Sequence, residues 1–121
     1  MNQREINTKM KEIKAALKEF GFKKGRTPLD DDYRYIVGGH YCLNVSFMPE
    51  QMYCPVQIIL KADYRDNTYD DDLSTYINFA PDKLDCVIPA IKKSIKILEN
   101  MNKKFKQIME HLEDFEKLSA T

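Results

Sequence analysis

The stretch YIVGGHYCLNV, residues 35–45, decides how this chain is read. Two glycines separate two runs rich in aromatic and β-branched residues. Such runs suit strands, and adjacent glycines supply the positive φ that a two-residue hairpin turn needs at its centre. A hairpin closed at Gly38-Gly39 pairs Val37 with His40, Ile36 with Tyr41, Tyr35 with Cys42 and Tyr33 with Asn44. Residues paired across two strands share a face. Ile36, Tyr41, Leu43, Val45 and Phe47 are then expected on the buried side. Tyr33, Tyr35, Val37, His40, Cys42, Asn44 and Ser46 are expected on the other.

Downstream of this hairpin, Val56, Ile58, Leu60 and Ala62 alternate with Gln57, Ile59, Lys61 and Asp63, which predicts a further half-buried strand. Thr75–Phe79 reads as a weaker fourth strand, and Tyr64–Asp72 between them as a polar loop without periodicity. Upstream, Ile6, Met10, Ile13, Leu17 and Phe20 fall at steps of four, three, four and three. That is one stripe of a helix over 3–20, with Gly21 placed to end it as a left-handed cap and Phe22 free to return to the core. Residues 23–28 read as a loop.

The rest of the chain reads as one long helix. Ile88, Ile91, Ile95, Leu98, Met101, Phe105, Ile108, Leu112, Phe115 and Leu118 recur every three or four residues. Asp82 or Asp85 is placed to cap it, and Pro89 is tolerated near the first turn. About 30 helical residues reach ~45 Å, whereas a domain of this size has a radius of gyration near ~13–14 Å. The end of the helix therefore outruns the sheet. Its stripe must fold back over the first helix or be covered by another chain, and self-association through Met101, Phe105, Ile108, Leu112 and Phe115, as a homodimer, is expected.

The architecture expected is α+β over a single domain, 1–121. It comprises an N-terminal helix, a three- to four-stranded antiparallel meander and a long C-terminal helix, with both helices on one face of the sheet. The other face would then be open, carrying Tyr33, Tyr35, His40 and Asn44.

Composition bounds the function. The 121 residues are 43% hydrophobic and 31% charged, the balance of a folded chain. No apolar run approaches the ~20 residues of a membrane span. The N-terminus opens into amphipathic sequence instead of a signal-like apolar segment, so a cytoplasmic location is expected. Cys42, Cys54 and Cys86 are an odd set without a CxxC pair, which favours reduced thiols.

Net charge is zero but unevenly spread. Residues 1–28 hold eight Lys/Arg against three Glu, residues 29–86 four against eleven Asp/Glu, and residues 87–121 seven against five. A chain that grips phosphates carries a basic cluster where it meets them. Here the middle is acidic, so no direct nucleic-acid partner is expected.

Catalytic constellations are missing from the sequence. His40 and Cys42 are two potential zinc ligands where about four are needed. As a nucleophilic pair they would stand ~6–7 Å apart along one strand. The acidic runs Asp30–Asp32 and Asp70–Asp72, with Asp63 and Asp66, lack the spacing of a calcium loop. A metal-nuclease pattern fails because Ile59 stands where Lys61 would need a carboxylate two residues before it. No glycine loop suits a phosphate. No catalytic residue, metal or cofactor is therefore expected.

What is left is a non-enzymatic protein-interaction module. It resembles in its physical means a small inhibitor or immunity-type protein, occluding a basic surface on a partner protein. The partner-binding residues expected are Tyr33, Tyr35, His40, Asn44, Asp63, Asp66, Asp70, Asp71 and Asp72. The alternative is a small-molecule binder or small enzyme using the open face around His40.

Overall fold

Helix α1, Gln3–Phe20, forms where the four-three spacing places it, with Ile6, Met10, Ile13 and Leu17 buried. Asn2 caps its start, the side-chain oxygen accepting from the Glu5 amide at 2.9 Å. Gly21 ends it in the left-handed region, at φ 98°. The Gly21 amide donates to Lys18 O at 3.1 Å and the Phe22 amide to Leu17 O at 2.9 Å. This pair of reversed bonds satisfies carbonyls that the helix end would otherwise leave open. Phe22 drops into the core, its ring 5.1 Å from that of Tyr35.

The computed structural model describes residues 2–25, 31–36, 40–48, 53–62 and 74–120. Five strands form one antiparallel sheet in chain order: β1 Lys23–Lys24, β2 Asp32–Tyr35, β3 Tyr41–Phe47, β4 Val56–Ala62 and β5 Thr75–Phe79. The loop expected over 23–28 thus begins as a strand. Lys23 pairs with Arg34 and Lys24 with Tyr33, and the Gly25 amide donates to Asp32 O at 2.8 Å. A two-lysine strand at the sheet's margin offers little for another chain to extend.

The β2–β3 register differs by one residue from the two-glycine hairpin. Tyr35 lies opposite Leu43, Arg34 opposite Asn44, Tyr33 opposite Val45 and Asp32 opposite Ser46. β2 ends at Tyr35 and β3 opens at Tyr41, so the connection is longer than two residues; Val37, Gly38 and Gly39 lie outside the described residues. Because side chains alternate, a slip of one exchanges the faces of the whole strand. Tyr33 and Tyr35 move to the side of Leu43 and Val45, while Asp32 and Arg34 face away. The register that wins buries Tyr33, half-buries Tyr35 and leaves Ile36 38% exposed.

The β3–β4 pairing sets Tyr41, Leu43, Val45 and Phe47 opposite Ala62, Leu60, Ile58 and Val56, the buried side expected from alternation. β5 continues it at Phe79, opposite Val56, whereas Ile77, opposite Ile58, is 53% exposed. One core cluster joins Ile6, Met10, Ile13 and Leu17 of α1 to Tyr33, Leu43, Val45, Phe47, Val56, Ile58 and Phe79 of the sheet, and to Leu84, Val87, Ile91 and Leu98.

The last three belong to helix α2, Val87–Lys117, 31 residues and about 46 Å long. Neither aspartate caps it. A 3-10 turn, Pro81–Cys86, leads straight into it, and Cys86 at the cap makes no side-chain bond to the helix. Asp85 instead meets Lys9 Nζ at 2.6 Å, tying that turn to α1. The hydrogen bond and charge of Asp85 hold the Lys9 pKa above its ordinary value. Among the described residues no helix is long and apolar enough to cross a membrane.

Candidate interaction surface

α2 parts from the sheet at Tyr41, the first residue of β3. Asn102 fixes the point of departure: its Oδ1 accepts from the Tyr41 amide at 2.8 Å, and its Nδ2 donates to the Tyr41 carbonyl at 3.2 Å. One turn on, the half-buried Phe105 closes a clasp of three rings. It stacks on His40 with centroids 4.0 Å apart and planes 8° from parallel, and meets Tyr41 edge-on at 6.0 Å. His40 in turn stands at 90° to Tyr41, 4.9 Å away.

Beyond the clasp every residue from 106 to 119 is exposed. The apolar spacing nevertheless continues. Ile108 is 56% exposed, Met109 42%, Leu112 50%, Phe115 72% and Leu118 68%. The stripe's charged surroundings change sign along its length: Lys103, Lys104 and Lys106 come first, then Glu110, Glu113, Asp114 and Glu116. Of the residues expected to self-associate, Met101 and Phe105 are half-buried within their own domain, whereas Ile108, Leu112 and Phe115 project freely. Met109 and Leu118 widen the surface. The same periodicity that marks the stripe includes Leu118, while Met109 sits one residue off it.

The second face of the sheet is not the tyrosine surface expected. Tyr33 is 4% exposed and packs edge-on against Phe47 at 5.6 Å. Tyr35 is half-buried against the core beside Phe22. The slip in register puts them there. Arg34, Cys42, Asn44, Ser46, Gln57, Ile59, Lys61, Tyr76 and Asn78 occupy the second face instead. This face is only partly open, since Cys42 and Asn44 in the central strand are buried. Asn44 Nδ2 donates to Ser46 Oγ at 3.4 Å, and Gln57 Nε2 to Asn78 Oδ1 at 2.9 Å. The exposed tyrosine here is Tyr76, opposite Ile59. The alternation of Tyr76 and Asn78 with Ile77 and Phe79 was its signal.

His40 is committed to the clasp through its ring face. Asp31 of the first acidic run pairs with Lys14 at 2.8 Å. Asp63, Asp66, Asp70, Asp71 and Asp72 lie outside the described residues. Among the described residues no three His, Cys, Asp or Glu side chains gather as a metal site. Comparison of the chain with protein-family models, with curated proteins and with solved structures finds no match.

Proposed function

We propose that this protein is a non-enzymatic protein-interaction module, and that its contact surface is the distal half of α2. The observation that carries this is the row Ile108, Leu112 and Phe115 on α2, followed by Leu118 in the 3-10 turn at its end, all at least half exposed. Apolar residues scattered over a surface need no explanation, but a contiguous row marks a contact site. Covering each large side chain is worth ~1.5–3 kcal/mol. These residues take over the role of anchors first expected of Tyr33 and Tyr35. The five aspartates of segment 63–72 add negative charge that draws in a basic partner surface and weakens with salt. An anchor joined to an acidic field suits occlusion of a partner, in the manner of a small inhibitor.

The test is capture from an extract of the parent cells, with the wild type and Ile108→Glu/Leu112→Glu/Phe115→Glu as paired baits. All three positions are exposed in the single chain, so the variant is expected to keep the wild-type fold, checked by circular dichroism in dilute protein. Chains held by the wild type, copies of itself included, are lost from the variant. If every association survives the three changes, the contact surface is elsewhere.

A further inference from the structure

We infer that the stripe on α2 is covered by the same stripe of a second copy, laid antiparallel, with the two-fold axis close to residue 110. This rests on the reading of α2 as the contact surface and names what covers it.

The first ground is spacing. Phe105, Ile108, Leu112 and Phe115 follow one another at three, four and three residues, the repeat of a helix–helix seam. The set is also symmetric about residue 110. In an antiparallel pair Phe105 lies opposite Phe115 of the second copy, and Ile108 opposite its Leu112. Leu118 of the second copy reaches the half-buried Met101, beside the ring clasp. No large apolar side chain of the stripe is left facing water.

The second ground is charge. Around the helix the charge changes sign, from Lys103, Lys104 and Lys106 to Glu110, Glu113, Asp114 and Glu116 with Lys117 among them, and Lys104 and Glu116 lie nearest the seam. Antiparallel docking lays the basic half of each copy along the acidic half of the other. A parallel pair would set the basic half of each helix at the level of the other's basic half and the acidic half at the level of the acidic, which costs association energy. The sign change along the helix therefore selects the orientation as well as the occupant.

The third ground is support. Most helical stability in proteins comes from packing an amphipathic face, and residues 106–117 of α2 are exposed throughout. A second helix alongside supplies the packing that the sheet does not. The seam from Phe105 to Phe115 spans only about 15 Å, so the pair belongs among weak interfaces, with a dissociation constant in the tens of micromolar, ~10–100 μM.

Sedimentation velocity and cysteine cross-linking test this on the full chain carrying Cys54→Ser and Cys86→Ser. Sedimentation is expected to show a monomer–dimer equilibrium, and Leu112→Glu to weaken it by ~100-fold, since each change is felt at two sites of the pair. Under mild oxidation His111→Cys, next to the axis, is expected to cross-link with itself. Lys104→Cys is expected to cross-link with Leu118→Cys when the two are mixed, and not with itself. A monomer at every concentration overturns the self-pairing. So does a dimer in which Lys104→Cys joins readily to itself, which is the parallel arrangement. A monomer whose stripe still captures a different chain, and loses it in the triple glutamate variant, overturns the self-pairing alone and leaves the interaction module standing. A dimer and a capture that both ignore changes to the stripe overturn both.

Discussion

Asn102 holds Tyr41 by both of its main-chain groups, accepting from the amide at 2.8 Å and donating to the carbonyl at 3.2 Å. The β2–β3 pairing ends at Tyr35 and Leu43, two residues short of Tyr41. The side-chain amide thus does for Tyr41 what a neighbouring strand does for the rest of β3. It also decides where α2 stops being part of the domain and becomes a projecting surface. Asn102→Ala strands two partly buried polar groups and is expected to lower stability by about 1–2 kcal/mol. Asn102→Asp, which accepts but cannot donate, falls between. Urea unfolding at constant slope reads this directly; a variant within ~0.3 kcal/mol of the wild type would show the contact to be incidental.

The clasp of His40 and Phe105 anchors the helix one turn further on. Stacked rings at 4.0 Å are worth about 0.5–1.5 kcal/mol beyond their burial. A double-mutant cycle of His40→Ala and Phe105→Ala is expected to return a coupling of that size. Strictly additive losses would mean that the rings are neighbours without being partners.

Tyr33 tests the register. With 4% of its surface exposed and its ring against Phe47, Tyr33→Ala is expected to cost ~3–5 kcal/mol, as for other large aromatic residues removed from a core. Arg34→Ala, on the opposite face, should change stability little. A loss below ~1 kcal/mol at Tyr33 would restore the two-glycine hairpin and exchange the faces.

Gly21 lies at φ 98°, and among the described residues a Cβ added there would meet only Tyr35 Cε2, at an ordinary 3.6 Å. The strain of Gly21→Ala therefore comes from the backbone alone, ~1–2 kcal/mol. Thermal unfolding should show a lower midpoint with the helix content of the folded state unchanged. An unchanged midpoint would mean that the cap is not held in the left-handed region.

Much of this fold was legible in the residues, and the failures have physical causes. α1 at 3–20 and the buried sides of β3 and β4 follow from apolar spacing, because burial on one face leaves a periodic mark; β5 at 75–79 leaves a weaker one, since only Phe79 of it is buried. β1 leaves none. Its two lysines join the sheet through their main chain, and their side chains carry no burial pattern. In β2 the alternation of Asp32, Tyr33, Arg34 and Tyr35 was a true signal, with tyrosines in and charges out. The Gly38-Gly39 pair outweighed it by suggesting a turn too short by an odd number of residues. For the surface, the stripe from Phe105 to Phe115 is written in the sequence. How much of it hangs free is not, because that depends on where Asn102 and Phe105 meet the sheet, some sixty residues away in the chain.

Main-chain hydrogen exchange over residues 106–117, followed against protein concentration, reads whether a second copy covers the distal helix. These amides lie in a helix that its own domain leaves uncovered, so in dilute protein, at ~1 μM, they should exchange readily. At ~300 μM pairing of α2 with a second copy should slow them at least ~3-fold, while the α1 amides stay as they were. Leu112→Glu should remove that dependence. Exchange over 106–117 that is the same at both concentrations would contradict the pairing and show that the distal helix stands alone.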